Sequence, residues 1–331
     1  MRLIIHIGAA KCGSTSIQDY LARNVAPLRS NGVLVPDEGL GLAGQVSGNQ
    51  VWFFQNLMVG GADRSIVGRQ LLALRETMSS EKSHTLVLSA ENLMNEATFA
   101  QACAPALDLF DDIRVIAYVR RQDDYLLSAW RQWWLKEYNS LEDYLLDVVG
   151  LDGAWARLIA PWEQVFGPER MHLQRFDRKY LLNHDVVDDF LATAEIPRDG
   201  CAPTIEIANP TFSDGVVKLA HDVREVFSSI HDDRFFAIAW DILQEHSLKT
   251  QPGSSLLTLA DRLRIMSAYE TGNAKIKDRY FPALAPGEPL FSAPTEKDVA
   301  TLTPAEESQL RETLMLRLIA GLVKRVQDAS R

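Results

Sequence analysis

Gly8 and Gly13 bracket a short loop between an apolar run (Leu3, Ile4, Ile5, Ile7) and helix-forming residues that begin at Ser14. This order reads as strand, anion loop, helix. The glycines let backbone N–H groups close around an anion, and the helix start adds the positive end of its dipole. The glycine spacing is that of G-x-x-x-x-G-K-[ST], but Ser14 fills the slot where the lysine for β- and γ-phosphates belongs. The lysine sits inside the loop instead, at Lys11. Such a loop can hold one phosphate through its amides, Lys11, Ser14 and Thr15, and lacks the lysine a triphosphate tail requires. The plain alternative is a strand-to-helix turn with no ligand.

A second polar group follows the apolar run 113–119, IRVIAYV. Arg120 stands at its end and Ser128 eight positions on, along a helix from about Tyr125. A guanidinium fork and a hydroxyl can both reach one phosphate there. Glu91 follows a third apolar run, 85–89. Partly desolvated in a cleft, a carboxylate can have its pKa raised toward neutrality and take a proton from a hydroxyl. Equally, Ser89 and Glu91 can cap the next helix. His6 is a rival base, although its place in an apolar run suits a hydrogen-bonded core residue. His84, His172, His184, His221, His231 and His246 have no spacing that selects one. Cys12, beside Lys11 at a helix start, is either an activated thiol or a small loop residue. No metal-ligating constellation stands out.

The elements that must position these residues alternate. Strands are expected at 3–7, 85–89, 113–119 and 171–176, with a short extended segment at VLVP (33–36). Helices are expected at 16–30, 64–80, 96–110, 153–166 and 185–194. Short apolar runs after helices predict an α/β fold with a doubly wound, mainly parallel sheet, whose strand carboxyl ends bind ligands. Residues 37–50, rich in glycine and poor in core anchors, read as a surface loop and a wall for an acceptor cleft. Residues 51–60 read as a buried helical face rather than a stacking platform for sugars. Pro197, Pro203 and Pro210 mark a linker or long loop, and helices are expected near 214–230, 233–247, 254–270 and 304–327. The division expected is an α/β core over 1–200 and a mainly helical part over 201–331 packed on it. Trp130, Trp133 and Trp134 fit helix packing or an aromatic face for a sugar ring. Arg131 and Lys136 are either solvated or meet an anionic acceptor.

With 331 residues, 47% hydrophobic and 24% charged, the chain can bury a substantial core. A formal charge of −10 argues against general affinity for nucleic acid or anionic lipid, so any anion site is local. No run approaches the roughly 18 apolar residues that span a membrane. The first strand is expected directly after Arg2, and on that reading no signal peptide is expected. Three cysteines, Cys12, Cys103 and Cys201, form no disulfide framework. A cytoplasmic protein is the expectation.

Together, IHIGAAKCGSTSIQ, LSAENL and YVRRQDDYLLS resemble the bacterial carbohydrate-type group of sulfotransferases that use 3′-phosphoadenosine-5′-phosphosulfate (PAPS). LQRFDRKYLLNHDVVDDFLATAEI and YETGNAKIKDRYFP resemble that group's final strand with its helix and its C-terminal segment. The likeness runs from residue 3 to about 282, its specific motifs within roughly the first 130. It implies that Lys11, Cys12, Gly13, Ser14, Thr15 and Ser16 surround the 5′-phosphosulfate. It further implies that Arg120 and Ser128 grip the 3′-phosphate and that Arg175 and Phe176 lie near the adenine. The reaction implied is sulfuryl transfer to a hydroxyl of a saccharide or glycolipid, releasing 3′-phosphoadenosine-5′-phosphate (PAP) without a metal. Lys11 would steady charge on the bridging oxygen, and Glu91 would be the base. Two alternatives stay open. One is a P-loop nucleotide kinase, disfavoured by Ser14 in the lysine slot and by the lack of a clear magnesium aspartate. The other is a non-catalytic nucleotide-binding protein of the same fold.

Overall fold

Leu3, Ile4, Ile5 and Ile7 are wholly buried in the computed structural model, which describes residues 1–58, 65–204, 212–243, 253–300 and 302–329. Full burial of such side chains is worth about 1.5–3 kcal/mol each, and it puts this strand in the middle of the sheet. In chain order the elements begin with β1 (Arg2–His6), α1 (Ser14–Arg23), α2 (Val25–Ser30), β2 (Val33–Leu34), α3 (Val51–Met58), α4 (Ser65–Glu81) and β3 (Thr85–Ser89). Next come α5 (Ala97–Cys103), α6 (Ala106–Leu109), β4 (Asp112–Val119), α7 (Gln122–Gln132), α8 (Leu141–Val148), α9 (Trp155–Phe166), β5 (Met171–Arg175) and α10 (Val186–Ala194). Then follow α11 (Asp214–Asp222), α12 (Arg234–Leu243), α13 (Leu259–Ala268), α14 (Glu270–Tyr280) and α15 (Pro304–Ala329).

The chain forms two compact units. One comprises Met1–Arg121, Gly153–Ile207 and Thr271–Leu290; the other comprises Gln122–Asp152, Ala208–Glu270 and Phe291–Arg331. The first holds a sheet of order β2-β3-β1-β4-β5, parallel throughout. Helices cover both faces: α1 packs with α10, while α4, α5, α6 and α9 form a separate group, and α9 and α10 both pack on β4. The α/β fold with a parallel sheet is therefore as expected. Because β1 lies between β3 and β4, the chain leaves it toward opposite sides, and the crevice at such a switch point is where ligands bind.

Local departures from the expected elements have identifiable causes. The helix expected at 16–30 is two, α1 and α2, because Pro27 lacks the N–H that would continue the ladder. Asn24 takes the break, its side-chain amide donating to Tyr20 O at 2.9 Å. The helix expected at 96–110 divides in the same way beside Pro105. The 37–50 loop has core anchors after all. Leu40 is fully buried, and the Asp37 carboxylate accepts from the N–H groups of Gly39, Gly41 and Gly44 at 2.9, 2.8 and 2.7 Å. In α3, Phe54 and Leu57 are buried but Trp52 is 61% exposed. Part of the expected 197–210 linker, residues 205–210, lies outside the described residues.

The second unit is helical; α15 covers the whole of the expected 304–327, while other helices depart from their expected bounds. The 214–230 helix ends at Asp222, the described part of 233–247 runs from Arg234 to Leu243, and α13 starts only after a capping box at Thr258 and Asp261. Trp130 and Trp134 pack against neighbouring rings. Trp134 stacks on Tyr144 at 6.1 Å between centroids and meets Tyr138 edge-on, and Trp130 leans on Tyr144 at 5.7 Å. Both cations are engaged by protein acceptors. The Lys136 side chain is fully buried, its ammonium donating to Ile230 O at 2.8 Å and Asp233 Oδ1 at 2.7 Å, and Arg131 pairs with Asp214. Among the described residues no helix is long and apolar enough to cross a membrane.

Candidate functional site

At the carboxyl edge of β1 the loop turns back on itself. Lys11 has φ +61° and Gly13 +84°, both left-handed; a non-glycine residue holds that conformation only where its surroundings enforce it. The enforcement is visible on two sides. Asn92, at the exit of β3, donates its N–H to Gly8 O at 2.6 Å, and Arg120 Nη1, at the exit of β4, donates to Lys11 O at 2.9 Å. Gly8 has no room for a side chain, since a Cβ would stand 2.6 Å from Ser14 Oγ. The Ser14 hydroxyl, 2% exposed, is turned inward and donates to Ala9 O at 3.0 Å, so it shapes the loop. Thr15 is the exposed hydroxyl beside it, and Ser16 is half-buried, its N–H closing on Gly13 O at 3.1 Å. Among the described residues, no protein acceptor takes the backbone N–H groups of Cys12, Gly13, Ser14 and Thr15. The first turn of α1 carries no acidic residue. Such a helix start suits an anion.

Phe176 and Arg120 complete one side of the loop. The Phe176 N–H bonds Val119 O at 2.8 Å, so the chain leaving β5 stays paired with β4. The phenyl ring lies under Gly13, where an added Cβ would come within 2.6 Å of its Cε2. The Arg120 guanidinium sits 5.7 Å from the Phe176 ring centroid, and its carbonyl accepts from Trp155 Nε1 at 2.8 Å. Gly13→Ala adds a left-handed penalty of about 1–2 kcal/mol and pushes the ring away. It is expected to lower the stability of the fold by at least that amount. Denaturant unfolding checks this, and an unchanged midpoint contradicts it.

Glu91 approaches from the β3 side. Its N–H donates to Asn49 Oδ1 at 3.4 Å, an acceptor that also takes Val51 N–H at 3.0 Å. Wholly buried Gln50 accepts from Ser89 N–H at 2.8 Å and donates to Pro36 O at 3.1 Å, fixing the end of β3 against the exit of β2. Burial raises the Glu91 carboxyl above its ordinary value, and the Lys11 charge opposes that rise. Carboxylate and ammonium thus act on one another across the loop.

The rival groups are held differently. His6 is fully buried, bonds Ser89 Oγ at 2.8 Å and meets Tyr118 and Phe190 edge-on. Burial lowers its pKa to about 4, so at neutral pH it is an uncharged core side chain. Burial also pushes the Cys12 thiol up to about 12 against the pull of Arg120 and Lys11, which leaves it protonated and a poor nucleophile. His246 lies outside the described residues.

Lys11, Cys12, Gly13, Glu91, Arg120 and Phe176 are therefore brought together. Arg175 goes elsewhere: its guanidinium lies 3.4 Å from the Tyr180 ring centroid and 5.7 Å from that of Phe281, and Nη1 donates to Leu290 O at 3.3 Å. Ser128 is half-buried on α7, in the second unit. Asn49, Gln50 and Trp155 were missed by the sequence reading, which had no local signal for them, because their partners are distant in the chain.

No family model matches this sequence. A curated protein of Archaeoglobus fulgidus, described only as uncharacterized, is 23% identical over 172 residues, 51% of this chain and 46% of its own length. The chain thus spans less than half of that relative. Among solved structures, a sulfotransferase from Alicyclobacillus acidocaldarius aligns at 17% identity over 69% of this chain and 95% of its own, with a TM-score of 0.36. That likeness is too loose to bear on what this chain does.

Proposed function

We propose that the chain transfers a sulfuryl group from PAPS to a hydroxyl of a carbohydrate or glycolipid, releasing PAP. One observation carries the reading: Arg120 donates to the backbone of the loop at Lys11. A guanidinium from one strand exit is thereby fixed on the loop that carries a lysine from its neighbour, an arrangement that suits a nucleotide with phosphate groups on both the 3′ and 5′ positions of one ribose. The open N–H groups of 12–15 and the bare Cα of Gly13 against Phe176 suit such a ligand. The sequence motifs around Lys11, Glu91 and Arg120 point to the same class.

Bound there, the donor supplies a sulfur–oxygen bond whose cleavage leaves its electron pair on the 5′-phosphate oxygen while the acceptor oxygen bonds to sulfur. Lys11 and the loop N–H groups hold the charge that grows on the leaving oxygen. Glu91 takes the proton of the acceptor hydroxyl. Arg120 fixes the 3′-phosphate, and Phe176 offers an apolar surface beside it. In this reading the 37–50 loop, joined to Glu91 through Asn49, forms one wall for the acceptor.

Transfer of labelled sulfate from PAPS to a panel of saccharide and glycolipid acceptors tests the proposal; its absence, with PAP still bound, would leave a nucleotide-binding protein. Tighter binding of ATP with Mg²⁺ than of PAP would favour the kinase. Arg120→Ala is expected to weaken PAP by about 10–100-fold, the loss of a charge-assisted bond worth about 1.5–3 kcal/mol, and adenosine 5′-phosphosulfate by less, since that ligand feels only the lost tie to Lys11 O. Equal losses for the two ligands would refute the role given to Arg120.

A further inference from the structure

The helix α15 has two faces, and one is fully accounted for. Leu314 is buried and lies, with Leu310, against Gly215, while Gly321 admits Ile242. Glu307, Arg311 and Arg325 pair with Lys218, Asp222 and Asp241. An outward flank beside it carries Met315, Leu316, Ile319, Leu322, Val323 and Val326, each 43–67% exposed. Met315, Ile319, Leu322 and Val326 recur at the four-three-four spacing of a helix–helix seam.

We propose that this face is a self-association surface, pairing antiparallel with α15 of a second copy of the chain. The stripe offers on the order of 500 Å² of apolar surface, at the upper end for a lone protein. Two copies would cover on the order of 1,000 Å², which is what a reversible, micromolar dimer needs. The stripe is also self-complementary. A two-fold axis between Ala320 and Gly321 sets Ile319 opposite Leu322 and Met315 opposite Val326, and opposes the two helix dipoles. A lipid surface fits less well: the stripe has no aromatic residue, two of the helix's arginines are tied in ion pairs, and the chain's charge of −10 repels anionic headgroups.

Sedimentation velocity of the full chain from about 1 to about 100 μM, a range that brackets so small an interface, should show monomer passing to dimer. Ile319→Glu should raise the dissociation constant at least about tenfold by putting a charge in the seam, with Tm and PAP affinity unchanged. Ile319→Cys with Leu322→Cys in one chain should give a disulfide-linked dimer on oxidation, and neither alone should. A monomer throughout, a dimer indifferent to Ile319→Glu, self-linking of Ile319→Cys alone, or Ile319-dependent binding to phosphatidylserine vesicles would each overturn the proposal.

Discussion

Lys11→Ala is expected to lower kcat for sulfuryl transfer by about 10²–10³-fold, the usual effect of removing one preplaced donor from a developing oxyanion. PAP affinity should fall far less, because the loop N–H groups and the Arg120 guanidinium remain. That split matters: a merely structural lysine would lose binding and rate together. The backbone at this position is left-handed in the wild type, and alanine keeps the Cβ that bears this strain, so Lys11→Ala removes the ammonium without adding strain. Lys11→Gly, which accepts φ +61° freely, is the companion variant that relieves it. Rapid-quench measurement of single turnovers with saturating PAPS is the check, and a rate within tenfold of wild type for both variants would remove Lys11 from the chemistry.

Glu91→Gln should lower kcat/KM by about 10²–10⁴-fold, the span of general-base contributions, with PAP binding retained. The pH dependence gives a sharper signature. Burial raises the Glu91 carboxyl above 4.5 despite Lys11, so the wild-type rate should fall on the acid side of that raised value. The variant should lose this limb. The sign for stability is the reverse. A group whose folded pKa is raised stabilises the fold at pH values below its unfolded pKa, and that contribution is lost as pH rises through the folded value. At pH 8 the ionised Glu91 therefore carries a folding cost that glutamine lacks, and Glu91→Gln should not melt below wild type. Scanning calorimetry at pH 5 and pH 8 tests this, and a variant that is both inactive and markedly less stable at pH 8 would indicate a structural carboxylate.

The sheet was legible because β1, β3 and β4 are buried on both faces and so appear as short continuous apolar runs. The loop was legible because glycines are required at 8 and 13 for different reasons: the first admits the Ser14 hydroxyl and the second adopts positive φ over Phe176. What the sequence withheld was direction. Ser14 has the right type and place for a phosphate ligand, yet its hydroxyl faces Ala9. Arg175 and Phe176 were paired as neighbours of one ligand, but adjacent residues at a strand end point apart, and only Phe176 meets the loop. Asn49 and Glu91 are 42 residues apart, and nothing local couples them until β2 and β3 lie side by side. Pro27 is a local signal for the break between α1 and α2 that the expected 16–30 helix passed over. In the second unit the hydrophobic pattern ran past the helix ends, because turns between helices also bury apolar residues.

Asn92 N–H to Gly8 O and the Arg120 guanidinium to Lys11 O tie the loop backbone to the two neighbouring strand exits. Their effect is that the path of the loop backbone is settled when the sheet assembles. Little rearrangement is then left for a ligand to drive, and the outlying helices are free to diverge without disturbing it.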